Sequence, residues 1–445
     1  MAHEHPFDIN RQARKTSYLL LFVLLGINLL NYFDRYIISQ LLPLINEDFP
    51  MSKSVQGLLK TIFLVVYSMT CPIFGTLGDR FPRKYLVSFG TTLWSISTMM
   101  GGLVNSFGAF AFWRSMVGVG EAAYAPIAPT LISDIFPKRM HGRMMAFFYM
   151  VTPLGAAFGF IIGGVLGAAI GWRYTLLLAG VLGPFLAVWI LFFKEPIKHD
   201  ASQHAKSTLP PKASKSVSDS KTTPLPDKLT LSETIQGYFK LFTYRRFLFA
   251  CLGYTAYSFG IGSLQWWMPT YFYEVHHMPL KDSGMMLGGI TIIGGVVGAL
   301  SGGVINDKLQ GRVKNPYFTL CWASCALALP FVFITLMTDN IPLMWSCLLA
   351  GEILLFMNSG PVNLLLMESV PIAKRATALS LAVLVMHMFG DAISPPIVGH
   401  FSDLYGMKKA MMIIPFSFVF CAILWYWGKL FNDDHLFEQE ANQKS

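Results

Sequence analysis

Two short charged turns, half a chain apart, constrain this sequence more than any other feature. The first, Gly75–Lys84 (GTLGDRFPRK), joins apolar runs at 57–74 and 85–100. An apolar run of about 18 residues or more is long enough to cross a bilayer as a helix. Asp79, Arg80, Arg83 and Lys84 are too polar to lie among acyl chains, so the turn marks a membrane surface. Its glycines, Gly75 and Gly78, let backbones approach closely. The pattern returns at Gly303–Arg312 (GVINDKLQGR), with Gly303 for Gly75, Asp307 for Asp79, Lys308 for Arg80 and Arg312 near Arg83. Asp307 follows Asp79 by 228 residues in a chain of 445. A charged turn repeated once per half predicts a duplicated membrane protein.

The first stretch resembles the signature loop between the second and third helices of the major facilitator superfamily. The second resembles its weaker copy between the eighth and ninth. That resemblance implies an all-α membrane protein with twelve transmembrane helices in two pseudo-symmetric six-helix bundles, working as a carrier.

Composition agrees with a polytopic chain. Hydrophobic residues make up 53% and charged residues 13%, about half the charged share of soluble domains. The polar first 15 residues and the long first apolar run do not read as a cleavable signal peptide. Twelve spans are legible at 18–43, 57–77, 85–104, 109–134, 144–168, 174–193, 247–272, 284–306, 316–337, 342–369, 376–401 and 409–429. With the N-terminus inside, the inner segments hold 26 of the 34 Lys and Arg. Six fall in outer loops, and Arg35 and Arg114 lie within spans. The positive-inside bias puts both termini in the cytoplasm. The expected setting is a bacterial inner membrane. The net charge of +9 thus reflects topology, and nucleic acid is not an expected partner. Six cysteines without a CxxC pair read as apolar fillers. No disulfide, metal or cofactor is expected, and the chain reads as a monomer.

The organisation follows: a cytoplasmic tail at 1–17, a first bundle at 18–193, a cytoplasmic linker at 194–246, a second bundle at 247–430 and a tail at 431–445. Residues 199–229 are rich in Ser, Lys, Pro and Asp and read as disordered. Thr230 and Glu233 form a capping-box pattern. Leu231, Ile235, Tyr238 and Phe242 then recur at helical spacing, as in a helix lying on the inner surface or a solvated linker helix. A further echo links the halves. Asp134-Ile-Phe-Pro137 with Arg143 follows the fourth span, and Glu368-Ser-Val-Pro371 with Arg375 follows the tenth. The superfamily resemblance implies a cytoplasmic latch made of Gly75, Asp79, Arg80, Arg83, Asp134, Arg143, Asp307, Glu368 and Arg375.

Ionisable residues deep in spans are the most informative, because each normally faces a cavity or a partner. The first span carries Asn28, Asn31, Asp34 and Arg35 in NLLNYFDR. The fourth carries Arg114 and, two turns deeper, Glu121 in RSMVGVGEA. Gly118 and Gly120 allow a neighbouring helix close. Arg114 at matching depth is expected to hold Asp34 ionised. Glu121, without an adjacent base, is a candidate for proton coupling. In the second half, Glu352, Asn358 and Asn363 line the tenth span. His387 and Asp391 stand one turn apart before Pro395 and Pro396, able to shuttle a proton or to satisfy each other. Tyr124, Tyr149, Trp266, Trp267 and Tyr271 are candidate cavity aromatics.

NYFDR, RxxxGxGEA followed by APTLISDIF, HMFGDAISP and GEILLFMN together resemble the spinster branch of the superfamily. Its members are proton-linked transporters, and eukaryotic ones move lysophospholipids or sphingosine-1-phosphate. Carried over by motif, Asp34 would be the protonated acid with Arg35 its neighbour. Arg114 and Glu121 would form the polar core of the first half, and His387 and Asp391 the site of the second. The expected sites are therefore Asp34, Glu121, His387 and Asp391 for protons. For solute they are Arg35, Arg114, Glu121, Tyr124, Asn358 and Asp391. Trp266–Tyr273 and the stretch Asn358–Asn363 need not match a lipid exporter. A rival branch, the anion:cation symporters, shares an NYxDR-like first span, and there Arg35 and Arg114 would clamp a carboxylate. A receptor on a carrier scaffold is the reading from another class. An enzyme is not expected, since no HExxH, GxSxG or Walker pattern lies at a membrane surface.

Overall fold

A computed structural model describes residues 11–193, 238–371 and 374–431. Nine of its helices are long and apolar enough to cross a membrane. Twelve spans follow once three features are read. The third span, Arg83–Leu103, is helical but more polar. The fourth is broken into Phe107–Ala122 and Ala128–Ile135. The continuous helix Lys138–Leu191 turns at Gly171, whose φ of +79° is open only to glycine at low cost, and makes the fifth and sixth. The chain is thus an all-α membrane protein of two six-helix bundles.

The remaining spans are Arg11–Asp48, Lys53–Arg80, Arg245–Glu274, Leu280–Leu309, Pro316–Met337, Ile341–Phe356 with Pro361–Glu368, Arg375–Met386 with Ser394–Tyr405, and Met407–Ala410 with Ile413–Leu430. Breaks fall where proline removes a donor. Pro126 lies in the fourth-span break, and Pro361 follows the tenth-span break. In the eleventh, a π turn at His387–Asp391 precedes Pro395 and Pro396. The charged turns are shorter than expected. Helix continues through Asp79 to Arg80, and through Asp307 to Leu309. A Cβ at Gly75 or Gly303 would meet nothing within 4 Å, so neither brings backbones together; at Gly78 it would lie 3.1 Å from Ile127. The capping box at Thr230 and Glu233, the 199–229 stretch and most of both tails lie outside the described residues. Of the expected surface helix at 230–246, residues 238–246 are described: 238–241 are helical, 242–244 form a turn, and the seventh span begins at Arg245.

Call the face where the first span begins the near face, and the opposite one the far face. The halves are joined toward the far face. Lys53 pairs with Glu274, and its backbone N–H donates to Asp403 Oδ1 at 2.7 Å. Tyr273 donates to Glu47 at 3.0 Å, Tyr36 to Gln265 at 2.6 Å, and Gln40 to the Leu280 carbonyl at 2.9 Å. The apolar core of the second half, around Trp267, Phe318 and Trp425, continues into Ile37, Leu41 and Phe160 of the first. At the near face, the pairs seen among the described residues run within a half. Arg83 holds Asp134, Arg246 donates to Asn315 at 3.1 Å, and Lys374 donates to Tyr244 at 3.0 Å.

Candidate functional site

The first, second and fourth spans build the polar centre of the first half. Gly118 admits the second span against the fourth, and Gly120 admits the third. A Cβ at Gly118 would lie 2.7 Å from the Phe63 carbonyl, and one at Gly120 2.6 Å from the Trp94 nitrogen. Glu121, one residue beyond Gly120, is fully buried. Its partner is Arg35, whose Nε donates to Oε2 at 2.7 Å; Arg35's side chain is 16% exposed and Glu121's 0%. The Arg35 guanidinium also lies over the rings of Tyr32, Phe63 and Tyr67, 4.9–5.3 Å from their centroids, where a cation is favoured.

This corrects the expected pairing. Arg114 does not hold the Asp34 carboxylate; its Nη1 donates to the Asp34 backbone carbonyl at 3.4 Å, and its guanidinium covers Phe63 at 4.3 Å. Nor is Glu121 without an adjacent base. The register explains both. Arg35 follows Asp34 directly, so it points about 100° around the first helix, toward the fourth span's deeper turn. Asp34 and Arg114 are buried, and Asp34 Oδ1 and Glu121 Oε1 have no hydrogen-bond partner among the described residues.

The second half supplies His387 and Asp391 from the π turn. His387 Nδ1 stands 3.6 Å from Asp391 Oδ2. Sequence reasoning missed the other partner: Lys60 of the second span, whose Nζ lies 2.6 Å from Asp391 Oδ1. The charge count from sequence places Lys60 with the outer loops, although it falls three residues inside the span read as 57–77. It belongs seven residues inside a helix that starts at Lys53. The signal was there, a lone lysine in GLLKTIFLVV. Lys60, His387 and Asp391 keep 14–20% of their side-chain surface. With the halves joined toward the far face, that exposure and Arg35's belong to a gap between the halves on the near side.

Several expected cavity residues lie elsewhere. Tyr124 is buried in the first half between Trp94 and Phe148, its hydroxyl donating to the Leu24 carbonyl at 2.7 Å. Asn358 is fully buried between the ninth and tenth spans, accepting from Ser324 at 3.0 Å. Trp266, Trp267 and Tyr271 are core residues of the second half, and Tyr149 is exposed. Glu352 is buried against Gly294, with Oε2 unpartnered among the described residues. Of the expected latch, Arg83 and Asp134 meet. Asp79, Arg80, Arg143, Asp307 and Glu368 are exposed at the near face, and Arg375 is half-buried there. Among the described residues, no group of three His, Cys, Asp or Glu is placed to hold a metal.

Residues 24–395 match the family model described as Major Facilitator Superfamily. Protein spinster homolog 3 of Danio rerio is 33% identical over 425 residues, covering 91% of this chain and 81% of its own. The Xenopus tropicalis sphingosine-1-phosphate transporter SPNS2 is 31% identical over 395 residues, covering 85% and 72%. A crystal structure of a bacterial homolog to the human lysosomal transporter spinster, inward-facing and unoccupied, superposes with a TM-score of 0.79 over 93% of this chain and 97% of that one. At 19% identity that likeness speaks for the fold alone. The chain therefore belongs to the Major Facilitator Superfamily, in its spinster branch, and is a membrane transporter rather than an enzyme.

Proposed function

We propose that this transporter carries a lipid-like amphiphile, a single-chain lipid with an anionic headgroup, by proton-coupled alternating access. The observation that carries the reading is the Arg35–Glu121 pair. Its acid is sealed in the first half while its cation keeps an edge on the gap. An anionic headgroup entering the gap competes with Glu121 for that cation. Glu121 is then a buried carboxylate that has lost its hydrogen-bonded counter-charge, with Arg114 alone within electrostatic reach, and taking a proton relieves the cost. Headgroup and proton therefore load in concert. Asp34, beside Arg114, is the second acid of the same cluster. The spinster relatives named as sphingolipid and sphingosine-1-phosphate transporters support the substrate class. The organic-acid alternative has less support, because Arg114 is buried and one guanidinium rather than two borders the gap.

In this reading the near face is cytoplasmic, both termini are inside, and the protein works as a monomer in the inner (plasma) membrane. Moving Lys60 from the outer loops into a span sharpens the supporting charge bias to 26 inner against five outer cations. Alternating access rocks the two halves about the central gap. The near-face charges Asp79, Arg83, Asp134, Arg143, Glu368 and Arg375 would close it when the far face opens. The test is uptake or release of a fluorescent lysolipid by protein-loaded liposomes under an imposed pH gradient, with a dicarboxylate as the competing probe. Gradient-driven lipid movement supports the reading; gradient-driven dicarboxylate flux without lipid movement overturns it.

A further inference from the structure

We propose that Lys60 is the positioning residue that ties closure of the far face to the charge of the His387–Asp391 pair; this rests on the alternating-access reading above. Lys60 lies about 10 Å along the second span from Lys53. An ammonium at that depth needs partners. Both polar contacts it makes among the described residues belong to the other half: Asp391 Oδ1 at 2.6 Å and the Gly262 carbonyl at 2.9 Å. The lysine is satisfied only while the halves are together on the far side.

The chain around it is shaped for this contact. Lys53, Gly57, Lys60 and Thr61 share one face of the second span, at the spacing that lines up a helix stripe. A Cβ at Gly57 would lie 2.4 Å from the Pro396 nitrogen, so only glycine admits the eleventh span at this distance. Pro396 has no N–H for the Ala392 carbonyl one turn earlier, and Thr61 of the other half donates to that carbonyl at 2.5 Å. A Cβ at Gly262 would lie 2.0 Å from Asp391 Oδ1. Glycine there gives Asp391 the room to face Lys60.

Asp391 is shared. Lys60 approaches one carboxylate oxygen, and His387 of its own turn stands 3.6 Å from the other. The groups facing this pair can be named from each element packed on the turn. The second span brings Lys60 and the Tyr67 ring, 6.2 Å from the His387 ring. Tyr254 of the seventh span and Tyr36 of the first lie within electrostatic reach of Asp391. With His387 neutral, one cation and one acid balance across the seam. With His387 protonated, two cations share one acid, and separating the halves removes Lys60 from the crowded side. Protonation of His387 therefore loosens the far-face seam, and Lys60 transmits the change.

The experiment measures far-face distances by spin-label spectroscopy in nanodiscs, with labels at Asn105→Cys and Lys281→Cys on a Cys71→Ser background; the other five cysteines are buried. The wild type is expected to be short-distance at pH 8 and to gain a long-distance population toward pH 5.5. Lys60→Met should raise the long-to-short ratio at pH 8 at least about tenfold, a floor below the full cost of orphaning a buried acid, and flatten the pH response. Lys60→Arg should keep the wild-type response, and the exchange Lys60→Asp with Asp391→Lys should restore the short distance. Gly262→Ala keeps both charges while displacing Asp391; it should act like Lys60→Met, and it decides the matter if Lys60→Met does not fold. A Lys60→Met distribution equal to wild type at both pH values, in a wild type that opens, overturns the role of Lys60 alone. A wild type fixed in the short distance at every pH overturns alternating access as well.

Discussion

Arg35 of the first span reaches across to Glu121 of the fourth, 2.7 Å from Nε to Oε2, with the acid wholly buried. Removing one member of such a pair leaves a charge without its counter-ion, at about 3–5 kcal/mol. Arg35→Ala should therefore lower unfolding stability by about that much. The double variant Arg35→Met with Glu121→Leu should recover most of it. Denaturation of the purified variants in detergent checks this; equal losses in the single and double variants would count against a coupled pair.

Tyr124 offers the opposite case. Its hydroxyl bonds to the Leu24 carbonyl in a packed core. Tyr124→Phe should cost about 1 kcal/mol of stability and leave transport within about twofold. A tenfold drop in transport at full stability would instead mean that the phenol meets solute.

The seam between the second and eleventh spans depends on a missing side chain. Any Cβ at Gly57 would press on the backbone of Pro395 and Pro396, which cannot swing aside. Gly57→Val should fold, since the residue lies in a helix, but fail to close the far face. Thiol labelling of a cysteine placed at Ser54 should then be fast in the variant and slow in the parent.

The loop after the seventh span carries a pH signature. Burial against Tyr271 and Phe272 lowers the His276 imidazole below its usual value, with Lys408 adding to the effect. The folded state then binds fewer protons than the unfolded one, so stability falls as pH drops from the unfolded value, about 6.5, through the lower folded one. The group is partly solvated, so the loss is small. Melting curves from pH 8 to 5 should show a shallower acid loss in His276→Phe than in wild type.

The fold was readable because bilayer physics leaves few options: long apolar runs and a charged turn repeated after 228 residues imply two helical bundles. Asp34, Arg35, Arg114 and Glu121 stood out for the same reason, as charges where charge is costly. What the sequence hid was azimuth. Whether Arg35 or Asp34 turns toward the fourth span depends on 100° of helix rotation, and whether Tyr124 or Asn358 faces a gap or a core depends on neighbours not yet placed. Lys60 was lost differently: it falls only three residues inside the span read as 57–77, and a charge that close to an apparent helix end was counted with the outer loop, although the helix begins four residues earlier, at Lys53.

The most direct test of the account is solute-dependent proton movement in liposomes loaded with a pH-sensitive dye, comparing wild type with Glu121→Gln at matched protein content and matched melting temperature. The account predicts that adding a single-chain anionic lipid changes the internal pH with wild type and not with the variant. An equal pH change with both would contradict it.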